Sequence, residues 1–176
     1  MRFTHSDEIA WPRELVFRTF RDRTPDLLPY LPSVAELELL EETTEGPVKR
    51  SIKRWRGSSD EIPGALRPLV RPDLLEWIDH ATWDERSFTC EWRHEFKALP
   101  GAISARGTTR YADEGDATRI TIEGEFTIRP EGLTFVPQVL ARKLAPPLER
   151  FIVGQIKPNL RGTNDAMVAL LEDEQD

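Results

Sequence analysis

Residues 88–96 read FTCEWRHEF, with an apolar or aromatic side chain at every second position. Phe88, Cys90, Trp92, His94 and Phe96 fall on one face, and the polar residues between them fall on the other. A period of two is typical of a β-strand that turns one face toward a core. We therefore expect a strand at about 87–97 whose apolar face must be covered by another part of the chain.

Six other segments are also predicted to be strands, so the chain is predicted to form a seven-stranded sheet. The other segments are about 3–11, 34–43, 47–56, 74–84, 103–111 and 117–129. Short turns such as Thr44–Pro47 and Asp113–Asp116 favour antiparallel pairing of the strands that they join. The predicted sheet has a polar outer face and an apolar inner face.

Helical periodicity appears in two places. Between the first two strands, apolar spacing near 3.6 predicts two short helices at about 12–22 and 25–31. From Gly132 onward the spacing predicts one helix up to Pro146-Pro147, followed by a long amphipathic helix that Pro158 should kink. Only this terminal segment is long enough to cover the inner face. We therefore predict an α+β fold in which a curved antiparallel sheet wraps around a long C-terminal helix.

Composition limits the class of protein. The chain has 176 residues, a net charge of -7 and one cysteine, Cys90. We expect a single domain at 1–171 with an acidic tail at 172–176, no intrachain disulfide, and no nucleic-acid partner. The N-terminal residues lack the pattern of a signal peptide, and no stretch approaches the roughly 20 apolar residues of a membrane span. A cytoplasmic location is the expectation.

Two segments near the N-terminus carry a family resemblance. They read IAWPRELVF at 9–17 and LPYLPSV at 28–34. Together with the order of elements, they resemble the START/Bet v1-like (SRPBCC) helix-grip superfamily, which includes polyketide cyclases and lipid-transport proteins. The stretch IPGAL at 62–66, leading into LEWID at 75–79, resembles the PRELI-like lipid-transfer branch. The resemblance implies a cavity for a small hydrophobic ligand, lipid or polyketide-like, between sheet and helix.

The alternation predicts which side chains would line that cavity. The candidate ligand-binding residues are Trp77, Phe88, Trp92, His94, Tyr111, Ile122, Phe126, Arg54, Ile152 and Ile156. Other apolar residues assigned to the same lining are Phe3, Ile9, Leu37, Leu39, Ile52, Leu75, Trp83, Phe96, Ile103, Ile120 and Leu148. The alternative is that these side chains fill one another's space as an ordinary core.

Polar residues on the predicted inner face are informative, because burying them without partners costs about 1–3 kcal/mol each. They are His5, Asp7, Asp79, His94 and Thr109. Arg50 and Arg54 join them if Val48 and Ile52 of the strand at 47–56 face inward. His94 suits a ligand-orienting group or a general acid/base. The alternative is a core histidine bonded to Asp79 or to a backbone carbonyl.

A basic stretch, KRSIKRWR at 49–56, stands out in this acidic chain. One interpretation is attraction to an anionic headgroup or membrane surface. The other is pairing with Glu36, Glu38 and Glu42 on the neighbouring strand. The three histidines and one cysteine lack metal-ligand spacing, so neither a metal nor another cofactor is predicted.

Three functions remain open. The first is binding or transfer of a hydrophobic ligand, with the 57–73 connection as a lid. The second is a cofactor-independent cyclase or hydratase with His94 as acid/base, Asp79 as its orienter and Tyr111 as donor to an oxyanion. The third is an interaction module without a ligand. The sequence indicates neither the ligand nor the oligomeric state.

Overall fold

The computed structural model describes residues 1–61, 72–133 and 137–174, apart from the side chains at positions 61, 72, 144, 148, 151, 152 and 155. Its centre is a seven-stranded antiparallel sheet with the order β1-β7-β6-β5-β4-β3-β2. The strands are β1 (Arg2–Ile9), β2 (Val34–Glu45), β3 (Val48–Gly57), β4 (Glu76–Asp84), β5 (Thr89–Glu95), β6 (Ile103–Asp113) and β7 (Thr118–Ile128). The predicted sheet is therefore confirmed.

In the described part of the chain, two α-helices and several short 3-10 helices complete the fold. Helix α1 spans Arg13–Arg23, and a 3-10 helix at Thr24–Tyr30 follows it. Shorter 3-10 helices lie at Ser59–Glu61, Pro72–Leu75 and Pro130–Gly132. Helix α2 spans Gln138–Asp173, and it contacts the sheet mainly at β1 and β7. This arrangement is the predicted α+β helix-grip fold, a curved sheet around a long C-terminal helix.

The terminal helix departs from the prediction in two ways. It is one helix of 36 residues, so the predicted break at Pro146-Pro147 is wrong. Both prolines lie on the exposed side, where water can satisfy the carbonyls that lose a donor, while Ala141 and Ala145 are buried on the other side. The helix also extends to Asp173, two residues into the expected acidic tail, where Tyr30 donates a hydrogen bond of 2.5 Å to Asp173.

The described residues of the interior form two hydrophobic clusters. The first core cluster joins α1, the C-terminal part of α2 and one end of the sheet, and includes Val16, Phe17, Phe20, Leu27, Trp83, Cys90, Tyr111, Ile120, Met167 and Leu171. The second core cluster lies around the N-terminal part of α2, and consists of Leu99, Ala102, Ala105, Phe126, Ile128, Leu133, Ala141 and Ala145. The inner face of the sheet between the two clusters carries aromatic side chains that are only half-buried.

The predicted phase of β3 is wrong. Register with β4 pairs Lys53 with Asp79 and Trp55 with Trp77, so Lys49, Ser51, Lys53 and Trp55 face inward. Arg50, Ile52 and Arg54 consequently lie on the outer face. The strand carries apolar residues in both phases, Val48 and Ile52 in one and Trp55 in the other, so its alternation could not decide between them.

Candidate functional site

Five aromatic side chains cross the inner face from β1 to β3, and we call them the aromatic row: Phe3, Trp92, His94, Trp77 and Trp55. The ring centroids of Phe3 and Trp92 are 6.4 Å apart, and those of Trp92 and His94 are 5.0 Å apart. His94 lies 6.1 Å from Trp77, which stacks on Trp55 at 5.9 Å with an interplanar angle of 10°. The row forms a continuous aromatic floor.

Two glycines make room for the centre of this floor. Gly107 of β6 and Gly124 of β7 are directly paired across the sheet. A Cβ atom at Gly107 would lie 2.4 Å from Trp92 Cζ2, and one at Gly124 would lie 2.5 Å from Phe3 Cζ. Because any side chain there would collide with these rings, the glycines allow Trp92 and Phe3 to lie flat against the sheet.

The aromatic row lies between the two core clusters, and solvent reaches part of it. Trp92 packs against both clusters, whereas Trp55, Trp77 and Trp92 are all only half-buried. The His94 side chain is 30% exposed. Aromatic side chains that are neither fully packed nor on the outer surface are typical of a ligand-binding cavity.

His94 and Asp79 are brought together as expected. They are directly opposite each other on β5 and β4, and His94 Nε2 lies 3.5 Å from Asp79 Oδ1. The two side chains are therefore within ion-pair distance of each other. This pair is the polar group within the aromatic row.

Tyr111 is not part of this pair, so its predicted grouping with His94 and Asp79 is corrected. Its ring packs edge-on against Phe17 at 5.3 Å within the first core cluster. Its backbone N–H donates to Phe88, six residues before His94, a separation of about 20 Å along a strand. Burial raises the pKa of the Tyr111 phenol well above its usual value. Tyr111 therefore serves as a core residue.

The remaining predicted ligand-binding residues are distributed over three environments. Phe88 packs on Phe17 in the first core cluster, and Phe126 is buried in the second. Ile122 faces inward opposite His5, and Ile156 is half-buried on α2. The side chains of Ile152 and Leu148 lie outside the described residues. Residues 62–71 of the lid expected at 57–73 also lie outside them.

Several other expected lining residues also belong to the clusters. Ile9, Trp83 and Ile120 lie in the first core cluster, and Phe96 and Ile103 pack on the second. Leu37 and Leu39 pair with inward-facing residues of β3, but Leu39 is exposed. Leu75 ends a 3-10 helix instead of lying in a strand.

The inward polar residues other than His94 have local partners or are shielded. His5 stacks with Phe3 at 6.2 Å, and Asp7 accepts a hydrogen bond of 2.9 Å from Asn164 of α2. Thr109 is buried opposite Cys90. Burial raises the pKa of the Cys90 thiol well above its usual value, with the Asp79 carboxylate adding to the effect. The thiol is therefore a poor nucleophile.

Lys53, like Trp55, is an inner-face residue that the alternation pattern did not predict. Its side chain is nearly fully buried, with 3% of the residue exposed, and Nζ lies 3.2 Å from Ser51 Oγ. Desolvation lowers the pKa of the Lys53 ammonium, although the Asp79 carboxylate opposes the shift. The wrong phase of β3 hid this residue, and only the register with β4 reveals it.

The basic stretch follows the pairing interpretation. On the outer face Arg54 pairs with Glu38 and Arg56 pairs with Glu36. Lys49 lies between Asp22 and Glu42, at 3.0 and 2.9 Å. Arg54 is therefore placed on the opposite face from the aromatic row, and its assignment as a ligand-binding residue is corrected. Because these cations are paired with carboxylates, the stretch gives no support to membrane contact.

The described residues contain no cluster of three or more His, Cys, Asp or Glu side chains that could hold a metal ion. In the same part of the chain, each helix is too short or too polar to cross a membrane.

Comparison with known proteins supports the fold. A family described as "Protein of unknown function (DUF2505)" matches residues 4–169. No curated protein matches the chain significantly. The fold is similar to that of TTHA0849 from Thermus thermophilus, with 21% identity, a TM-score of 0.64, and coverage of 96% of this chain and 98% of that one.

Two structures of named enzymes share the fold. The Zhui aromatase/cyclase from Streptomyces sp. R1128 is 15% identical, with a TM-score of 0.64 over 99% of this chain and 94% of that one. Norcoclaurine synthase from Thalictrum flavum, in complex with dopamine and hydroxybenzaldehyde, is 18% identical, with a TM-score of 0.62 over 98% and 87%. These similarities agree with the helix-grip fold, and the PRELI-like resemblance stays a prediction.

Proposed function

The chain belongs to the DUF2505 family, and we propose that it binds a small hydrophobic molecule against the aromatic row, between the sheet and α2. The observation that carries this proposal is the row itself, five aromatic rings between two packed clusters, with solvent in contact with its middle. Displacing that solvent with an apolar ligand yields about 25 cal/mol per Å² of apolar surface buried.

The glycine pair strengthens the proposal. Gly107 and Gly124 let the rings of Trp92 and Phe3 lie flat against the sheet, and a larger residue at either position would push these rings away from it. Proteins of this fold that bind aromatic molecules also support it, since the Thalictrum flavum enzyme was crystallised with dopamine and hydroxybenzaldehyde. A cytoplasmic location, in keeping with a single reduced cysteine, is part of the proposal.

The proposal is tested with N-phenyl-1-naphthylamine, an uncharged probe whose fluorescence rises in apolar sites. Wild-type protein should bind it, and Trp77→Leu should weaken binding about tenfold or more by removing an indole face from the floor. Trp11→Leu is the matched control, because Trp11 packs on the first core cluster and is not one of the five rings of the row. Its affinity for the probe should stay within about twofold of wild type. Absence of binding by the wild type, or equal loss in both variants, would contradict the proposal.

A second candidate function rests on the Asp79–His94 pair. An imidazole beside a carboxylate within an aromatic site can take a proton from a carbon next to a carbonyl, the step that starts cyclisation of a polyketide-like chain. Exchange of the benzylic α-protons of 2-tetralone with deuterium, followed by NMR, measures this step. His94→Asn should slow protein-dependent exchange by about 100-fold while probe binding persists. Wild-type protein that gives no acceleration over buffer would remove this candidate.

A further inference from the structure

The inner face holds a buried cation whose role the proposed function does not explain. Lys53 lies on β3, two residues from Trp55 and directly opposite Asp79, which is itself paired with His94. With 3% of the residue exposed, the ammonium is removed from water almost completely. A buried charge is costly unless a partner of opposite charge compensates it.

The partners of Lys53 compensate its charge only in part. Nζ lies 3.2 Å from Ser51 Oγ, and 5.9 Å from the centre of the Trp83 ring. Among the described residues, no carboxylate lies within 4.0 Å of Nζ. An ammonium has three N–H donors, so a neutral hydroxyl leaves donors unused.

A second unsatisfied donor lies nearby. The Trp83 indole, 6% exposed, has a buried Nε1 with no acceptor in the described part of the chain. Two buried donors around the same site, one of them charged, select for an acceptor that carries negative charge.

We propose that Lys53, assisted by Trp83 Nε1, binds the anionic group of an amphipathic organic anion whose apolar body lies on the aromatic row. Adjacent strands are about 4.8 Å apart and alternate residues about 6.6 Å apart, so one ligand of about 10 Å can reach both Lys53 and the row. This inference rests on the proposed function, and it defines the ligand as an organic acid in place of a neutral hydrocarbon.

Two probes with the same body separate the inference from the proposed function. N-phenyl-1-naphthylamine is uncharged, and 1-anilinonaphthalene-8-sulfonate adds one sulfonate to the same ring system. Wild-type protein should bind both. Lys53→Met should weaken sulfonate binding about tenfold or more and leave the uncharged probe within about twofold, because methionine keeps the length and removes the charge.

The matched control is Arg54→Met, which removes one positive charge from the outer face of the same strand. Its affinity for both probes should stay within about twofold of wild type. The inference is overturned if wild type and Lys53→Met bind the sulfonate probe equally well. It is also overturned if Lys53→Met and Arg54→Met lose the same affinity for that probe. In both cases, binding of the uncharged probe still tests the proposed function. Failure of wild-type protein to bind either probe overturns both.

A pH titration of the wild type keeps the inference testable if Lys53→Met does not fold. The charged or titratable groups around Lys53 are Asp79, Cys90, Glu42 and Lys49. Desolvation lowers the pKa of Lys53 below its usual 10.5, so the ammonium loses its proton before an exposed lysine does. Sulfonate binding should weaken as pH rises toward 10.5, with constant affinity for the uncharged probe. Sulfonate affinity that does not change with pH would overturn the inference.

Discussion

Replacing Gly124 by alanine tests whether the two glycines hold the aromatic row in place. The new methyl group would lie 2.5 Å from Phe3 Cζ and 3.0 Å from Trp92 Cη2. The first distance is about 1 Å short of an ordinary carbon–carbon contact. Both colliding atoms belong to side chains, so the rings must move away from the sheet while the backbone stays in place.

The expected magnitudes follow from what each methyl group meets. Overpacking costs about 1–3 kcal/mol, and alanine recovers about 0.5–1 kcal/mol relative to glycine within a strand, so Gly124→Ala should destabilise the fold by about 1–2 kcal/mol. Gly107→Ala should cost about 3 kcal/mol or more, because its methyl group would lie 2.2 Å from the backbone oxygen of Glu123. Gly162→Ala is the control, since its methyl group meets no atom within 4 Å, and helix propensity should stabilise the protein by about 0.5–1 kcal/mol.

Urea unfolding at pH 7, followed by circular dichroism and tryptophan fluorescence, gives these free energies. Adding Phe3→Leu to Gly124→Ala should relieve the collision, with a coupling free energy of about 1 kcal/mol between the two positions. The position that we assign to Phe3 and Trp92 would be refuted by either of two results. One is that Gly107→Ala and Gly124→Ala are as stable as the wild type. The other is that the effects of Phe3→Leu and Gly124→Ala simply add in the double variant.

Three further predictions concern buried and paired charges. Burial raises the pKa of Cys90 above its usual 9.0, so the unfolded protein loses this proton first and the stability of the fold declines above pH 9. This decline is at most about 1.4 kcal/mol per pH unit. Urea unfolding between pH 9 and 10 should show that Cys90→Ala lacks it. Burial lowers the pKa of Lys53, so the folded protein releases this proton at a lower pH than the unfolded protein does. Lys53→Met should therefore be more stable than wild type by about 1–2 kcal/mol at pH 7 in urea unfolding, and the difference should shrink as the pH approaches 10.5. Glu38→Gln, which breaks an exposed pair with Arg54, should change the free energy of unfolding by less than about 1 kcal/mol, and a larger effect would show that the outer face is more strongly coupled than its exposure indicates.

The sequence predicts the sheet because most strands have one apolar face and one polar face. In β5 the contrast between Trp92 and Arg93 is strong enough to fix both the strand and its phase. In β3 it is not, because Ile52 and Trp55 favour opposite phases and cations occur in both. Pairing with the neighbouring strand decides the phase, and periodicity within one strand contains no information about that neighbour.

The candidate site is only partly predictable for a related reason. Alternation identifies the face on which a side chain lies, but not its level along the strand. His94 and Asp79 share face and level, whereas Tyr111 shares only the face and lies in the first core cluster. Helix α2 passes through Pro146 and Pro147 because burial of Ala141 and Ala145 outweighs local propensity, a tertiary effect that spacing does not reveal.

The most direct test of ligand binding at the aromatic row uses the five tryptophans as reporters. Trp55, Trp77 and Trp92 belong to the row, while Trp11 and Trp83 lie against or within the first core cluster. In a proton–nitrogen NMR titration with N-phenyl-1-naphthylamine, the three indole signals of the row should shift and saturate together, and those of Trp11 and Trp83 should shift much less. Shifts largest at Trp11 and Trp83, or no saturable shift at the row, would contradict a ligand site between the sheet and α2.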